Sequence, residues 1–247
     1  MKLALYSAVY GTYEATAKPL PPDLGIPALM FTDNRDVARQ APAAGWQAIL
    51  TNEPYGKFDP DPANGDPAIV RPMLAHKYWK THPVEAILHA ATAVNPELHD
   101  VDTTIWVDGN MRITMAGPEW VARNVAALGD DEWSLMAHPW RSTVREEHEY
   151  TAAVCAGRYS VEAMQRLTDG LFNPATAYPD DVGLFASGHM VRRHALGVVI
   201  ACRDWWAMNV AFTHQDQLSL PFVIRKHAPR WNADLPWAMW SLDPHGT

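Results

Sequence analysis

The sequence predicts an α/β protein with one central open sheet flanked by helices, and three observations carry that expectation. The run Thr104-Ile105-Trp106-Val107 is apolar and strand-forming, then breaks at once into Asp108-Gly109-Asn110, the pattern of a buried strand ending where open α/β sheets place their ligands. Other short apolar runs alternate along the chain with stretches of helical spacing. With 247 residues, 48% of them hydrophobic, the chain has the length for one large α/β domain over 1–247 and the apolar content to fill its core.

The elements follow in order. A first strand covers 3–10, and the loop Gly11-Thr12-Tyr13-Glu14 sits at its carboxyl end, where nucleotide-binding sheets hold a base or ribose. A second strand over 28–32 is closed by Asp33-Asn34, and a third covers 46–50. The Pro- and Gly-rich stretch 52–67 reads as a surface loop. A helix over 71–79 brings Arg71, His76 and Lys77 close to Lys80, and 84–93 extends this helical region. After the central strand comes a helix over 117–128, with Pro118 suited to its first turn. A strand over 133–137 ends in His138-Pro139-Trp140-Arg141, and a helix over 143–156 begins among acids that suit a helix amino terminus. Ser160 caps a further helix, 183–192 is a strand bent at Ser187-Gly188, and 195–212 has helical spacing. The segment 214–221 opens a last helix, and the Trp-rich tail 228–247 reads as a wrap across the domain.

Composition excludes several functions. A formal net charge of −8 and an isoelectric point near 5.7 provide no broad field for nucleic acid or anionic membrane, although Arg192, Arg193, Arg225, Lys226 and Arg230 could line a local basic groove. Cys155 and Cys202 form no close-spaced metal or redox motif, so a reducing, cytoplasmic setting is expected. The amino terminus lacks a signal-peptide cleavage pattern, and no stretch reaches the roughly 18 apolar residues of a membrane span. Gly-x-Ser-x-Gly, Walker, Gly-x-Gly-x-x-Gly and His-Glu-x-x-His motifs are all missing.

What remains is a set of acids at element ends, Asp33, Asp108 and Asp216, with cations from the Arg71 to Lys80 region and from His138 to Arg141. The oxygens of Asp108 and Asn110 suit a hard cation, Mg²⁺ or Mn²⁺, that would hold a diphosphate. Such a set fits a metal-held nucleotide sugar, the cation offsetting charge on the leaving diphosphate while a carboxylate steers or deprotonates an acceptor hydroxyl. The bland alternatives are a plain Asp-Gly-Asn turn, an Asp216 that only caps a helix, and an Arg141 paired structurally with Glu146 or Glu147.

Seven motifs occur in order: Tyr6-Ser-Ala-Val-Tyr-Gly-Thr-Tyr-Glu14, Phe31-Thr-Asp33, Lys80 with His82-Pro83, Trp106-Val-Asp-Gly-Asn110, His138-Pro-Trp-Arg141, Gly183-Leu184 with Arg192-Arg193-His194, and Asp216-Gln-Leu-Ser219. Together they resemble the family catalogued as domain of unknown function 616, grouped with the GT-A-type glycosyltransferases. The resemblance implies a GT-A fold with a Rossmann-like, mostly parallel sheet, and a glycosyltransferase of the hexosyltransferase type using a UDP-sugar. It implies a metal at Asp108, with Asn110 standing where the Asp-x-Asp motif would have its second acid. The donor contacts expected are Tyr10, Gly11, Tyr13, Asp33, Asp108, Gly109 and Asn110, with Asp108 also catalytic, and Arg71, Lys77 and Lys80 are the cations whose chemistry would balance the diphosphate. Asp216 would lie near the acceptor or the transferred sugar, with His138, Arg141 and Gln217 on the acceptor or phosphate side. The acceptor is left open between a protein, a glycan, a metabolite and a modified nucleobase. Two rivals stand beside this expectation: a nucleotide-sugar-binding module whose catalysis has decayed, and a metal-dependent hydrolase.

Overall fold

Side chains that alternate along each strand explain the layering, because successive residues of a strand point to opposite faces. In β1 (Leu3–Val9), Ala4, Tyr6 and Ala8 enter one buried cluster while Leu5 and Val9 enter another, and in β2 (Ala28–Thr32) Leu29 and Phe31 separate from Ala28 and Met30 in the same way. The computed structural model describes residues 1–12, 16–155, 157–173, 182–227 and 230–242. Its remaining strands are β3 (Gln47–Leu50), β4 (Thr103–Val107), β5 (Met111–Ile113), β6 (Trp133–Ala137), β7 (Phe185–Arg193), β8 (Trp231–Asn232) and β9 (Trp240–Leu242). The helices are α1 (Arg35–Gln40), α2 (Pro67–Thr81), α3 (Pro83–Ala93), α4 (Gly117–Leu128), α5 (Val144–Val154), α6 (Val161–Leu171), α7 (Leu196–Ala211) and α8 (Leu220–His227).

Seven strands form the central sheet in the order β3-β2-β1-β4-β7-β6-β8, and β5 pairs with β9 in a small second sheet. All neighbours in the large sheet run parallel except β7, which is antiparallel to both β4 and β6. The chain therefore leaves β1 toward β2 on one side and reaches β4 on the other. A cleft opens between the carboxyl ends of β1 and β4, the switch point at which open α/β sheets bind ligands. Because β7 runs the other way, its first residues lie at this same edge. There the β6 partners step from Met190 to Ala186, so residues 187–189 have no partner on β6. The bend expected at Ser187-Gly188 is thus a bulge.

Three local expectations need correction. Residues 52–67 hold two single-turn helices, Glu53–Gly56 and Pro62–Asn64, and Asn64 is buried with its Nδ2 donating to the Val210 carbonyl at 2.7 Å. The helix expected over 71–79 begins at Pro67, where the Asp66 carboxylate accepts from the Ala68 N–H at 2.9 Å and proline takes the first turn. Residues 84–93 do not extend it: His82, at φ −124° and ψ 64°, breaks the helical path before Pro83. The Trp-rich tail also does more than wrap, since it supplies β8 to the edge of the large sheet and β9 to β5. No basic groove includes Arg192, whose side chain is fully buried with Nη2 donating to the Tyr6 hydroxyl. Among the described residues no helix is long and apolar enough to cross a membrane.

Thr143 caps α5 reciprocally with Glu146: its hydroxyl accepts from the Glu146 N–H at 3.1 Å, and the Glu146 carboxylate accepts from the Thr143 N–H at 3.2 Å. Thr143→Ala is expected to lower the unfolding free energy by about 1 kcal/mol, read from the urea midpoint at unchanged slope. No shift of the midpoint would show that the cap contributes nothing.

Candidate active site

The cleft at the switch point is a cavity of about 270 Å³ lined by Val9 at the end of β1 and Tyr10 just past it, from α2 by His76 and Lys77, from the β4 turn by Asp108, Gly109 and Asn110, and from the β7 bulge by Ser187 and Gly188. Its lining also includes Arg141, Glu147, Asp216 and Gln217. Of the residues singled out in the sequence, Tyr10, Lys77, Asp108, Gly109, Asn110, Arg141, Asp216 and Gln217 line it.

Others stand behind the wall. Asp33 accepts from the Gly11 N–H at 2.9 Å and from the Tyr55 hydroxyl at 2.7 Å, which ties down the turn after β1. Gly11 has φ +69°, and a Cβ there would lie 2.8 Å from Pro72 of α2, so the turn requires glycine. The Arg71 guanidinium lies 6.0 Å from the Phe58 ring centroid, outside the lining. His138 Nδ1 accepts from the Arg141 N–H at 3.1 Å and the Trp140 N–H at 3.3 Å, so this ring orders the turn leaving β6. Burial, then the nearby Arg141 charge, brings His138 down to about 4, which keeps it neutral at physiological pH. Tyr13 lies outside the described residues.

At the centre sits a buried ion network. Lys80 Nζ lies 3.1 Å from Asp108 Oδ1, 2.8 Å from Asp216 Oδ2 and 3.1 Å from Ser187 Oγ, with its side chain fully enclosed. Lys77 Nζ lies 2.8 Å from the same Asp216 oxygen, and the Ser187 hydroxyl donates to Asp216 Oδ1 at 3.1 Å. Asp108 Oδ1 also accepts from Trp106 Nε1 at 2.8 Å, and its Oδ2 has one longer contact, to Lys80 at 3.5 Å. Gly188 admits this arrangement, since a Cβ there would lie 2.8 Å from Met111 Sδ and 3.3 Å from Asp108 Oδ2. A second pair, Arg141 Nε on Glu147, is fixed by Gln215 Nε2 donating to Glu147 at 2.7 Å, and the guanidinium carbon sits 3.9 Å from the Tyr150 ring centroid.

These contacts set the charges. Burial would raise Asp216, but Lys77 and Lys80 outweigh it and hold the carboxyl well below the usual range. Burial would likewise raise Asp108, yet Lys80, then Lys77, hold it down. Lys80 is raised, because Asp108 and Asp216 more than cancel the cost of its burial. Lys77, with burial dominant and Asp216 only partly offsetting it, falls to about 8. Burial takes His76 to about 3, so its ring is neutral. Among the described residues, Lys77, Arg141 and Arg158 line the cavity together with Asp108, Glu147 and Asp216.

The donor set does not fit the divalent cation expected at Asp108 and Asn110. Asp108 Oδ1 is occupied by an ammonium and an indole N–H, and among the described residues no three His, Cys, Asp or Glu side chains converge to hold a metal. Two unit charges 4 Å apart interact by about 4 kcal/mol at an effective dielectric near 20, and a dication would face twice that repulsion from each nearby ammonium. The sequence alone missed Ser187 as a site residue, and the loop before α6 that brings in Arg158 carried no signal. For Ser187 the available cue was the expected bend itself.

No family model matches this sequence, and no curated protein does. Among solved structures, mouse xyloside xylosyltransferase 1 in its apo form aligns with 94% of this chain and 83% of its own at 8% identity and a TM-score of 0.47. The apo WbbM bifunctional glycosyltransferase aligns with 94% of this chain and 38% of its own, at 11% identity and a TM-score of 0.43. The mannosyltransferase Ktr4p of S. cerevisiae aligns with 91% of this chain and 62% of its own, at 10% identity and a TM-score of 0.39. Likenesses this distant fix neither a donor nor the role of any residue.

Lys80→Met would leave Asp108 and Asp216 buried with one cation fewer. It is expected to cost about 3–5 kcal/mol of stability in denaturant unfolding. Asp216 is depressed in the folded state, so its contribution is complete above about pH 4, where the unfolded carboxyl is ionised, and is lost as pH falls below that. Acid titration followed by circular dichroism checks the sign: stability that rises on acidification through pH 4 would contradict the network.

Proposed function

We propose that this chain is a glycosyltransferase that takes a sugar from a nucleoside-diphosphate donor, with a UDP-sugar the first choice. The observation that carries the reading is a cavity at the β1/β4 switch point with Lys77 presented into it and Asp108 beside it. The resemblance to the family of domain of unknown function 616 supports the same chemistry. In the transfer step the acceptor oxygen bonds to the anomeric carbon as the bond from that carbon to the diphosphate breaks. The electron pair leaves with the diphosphate, and the acceptor proton passes to a departing phosphate oxygen.

Each side chain then has a part. Lys77 meets the diphosphate and offsets the charge that builds on it. Asp108, whose side chain is 24% exposed, turns Oδ2 to a sugar hydroxyl. Asp216 anchors the two lysines. With both ammoniums on one oxygen and a hydroxyl donating to the other, it is too weakly basic to take the acceptor proton. Glu147, bonded to Arg141, Gln215 and Thr151, holds Arg141 at the cavity wall.

The test is a donor panel by calorimetry followed by assay of nucleotide release and transfer. Asp108→Asn is expected to lower turnover about 10²–10³-fold with circular dichroism unchanged. A folded variant at full rate removes Asp108 from the chemistry. If no nucleotide sugar binds, the transferase reading falls; if donors bind and nothing turns over, the chain is a binding module.

A second prediction follows from Lys77, which faces Asp216, Lys80, Asp108 and His76. Its protonated form binds the diphosphate, so UDP affinity should hold below pH 8 and weaken above it by up to about tenfold per unit. A flat profile from pH 7 to about 9.5 by calorimetry would contradict this role.

A further inference from the structure

We propose that Lys77 and Lys80 take the part of a divalent cation, so that this chain binds its donor diphosphate without any metal. The inference rests on the nucleotide-sugar reading above and concerns how that same site is charged.

The geometry around Lys80 is that of a built cation site already filled by the protein. One ammonium meets a carboxylate from the end of β4, a carboxylate from the turn before α8 and a hydroxyl from the β7 bulge, all within 3.1 Å. The Trp106 and Trp205 ring centroids lie 5.8 and 5.9 Å away and close it off from solvent. Asp108 is the acid that a metal would need, and its Oδ1 is spent on this ammonium and on Trp106 Nε1, with Oδ2 3.5 Å from the same ammonium. Asn110, two residues on, has no charge with which to draw a cation away from Lys80.

Lys77 completes the arrangement on the ligand side. It sits one helical turn short of Lys80 on α2, so both side chains rise from one face toward the β4 edge. Its ammonium has three donors; one meets Asp216, and the side chain lines the cavity. Lys80 does not line the cavity and is a positioning residue, fixing Asp216 and Asp108. Lys77 is the group that reaches the phosphate oxygens. Asp216, shared by both, keeps an ammonium pair charged where burial alone would discharge it.

The experiment uses UDP as probe on the full chain, by calorimetry, in EDTA and then with Mg²⁺ or Mn²⁺ added. The expected result is binding in EDTA within about twofold of that with metal. Lys77→Gln should weaken UDP about 10- to 100-fold, and Lys77→Arg should retain binding while moving the alkaline loss of affinity to higher pH. A merely structural lysine would not move that profile. UDP binding only when Mg²⁺ or Mn²⁺ is present overturns the inference and leaves the transferase reading intact. Metal-free binding that Lys77→Gln and Lys77→Arg leave unchanged also overturns it. Failure of UDP and of sugar nucleotides under both conditions removes both readings. The comparison of EDTA with metal needs no variant, so it decides the matter even where a substitution fails to fold.

Discussion

One buried ammonium, that of Lys80, holds the site together. It joins the end of β4, the β7 bulge, α2 and the turn before α8 through Asp108, Ser187 and Asp216. These four pieces are far apart in sequence, and without its three partners the enclosed Lys80 ammonium would be buried as an unpaired charge. Paired as they are, the charges satisfy one another, and the cavity wall inherits their fixed positions.

The sheet supplies the place for that network. Parallel strands put the carboxyl ends of β1 and β4 side by side, and the single antiparallel strand β7 delivers its opening residues to the same edge. The bulge then turns Ser187 toward the two acids, and Gly188 leaves room for Asp108 and Met111. Backbone direction, local irregularity and one missing side chain thus act on the same few cubic ångströms. The Asp33 carboxylate, which reads in the sequence as a ligand contact, fastens the Gly11 turn and Tyr55.

Much of the framework was legible along the chain. The strands at 28–32 and 133–137 and the helix at 117–128 have the bounds their composition predicts. Their apolar runs stop at unmistakable punctuation, Asp33-Asn34, His138-Pro139 and Gly129. Less legible was the region from 52 to 93, where prolines serve both as turn residues and as first residues of helices. Pro67 and Pro83 each begin a helix, the first behind the Asp66 cap and the second behind His82, which makes no side-chain cap bond, so no single local signal marks this use of proline.

The sequence by itself determined the α/β class, the acids at element ends and the basic cluster on α2, because these depend on local periodicity and on residue chemistry. Tertiary structure alone decided that Lys80 turns inward while Lys77 faces the cavity, that Arg192 is buried, and that Asp216 holds cations. These outcomes depend on which distant side chains share a buried volume, and the energy of a charge is set by that company and not by its position along the chain.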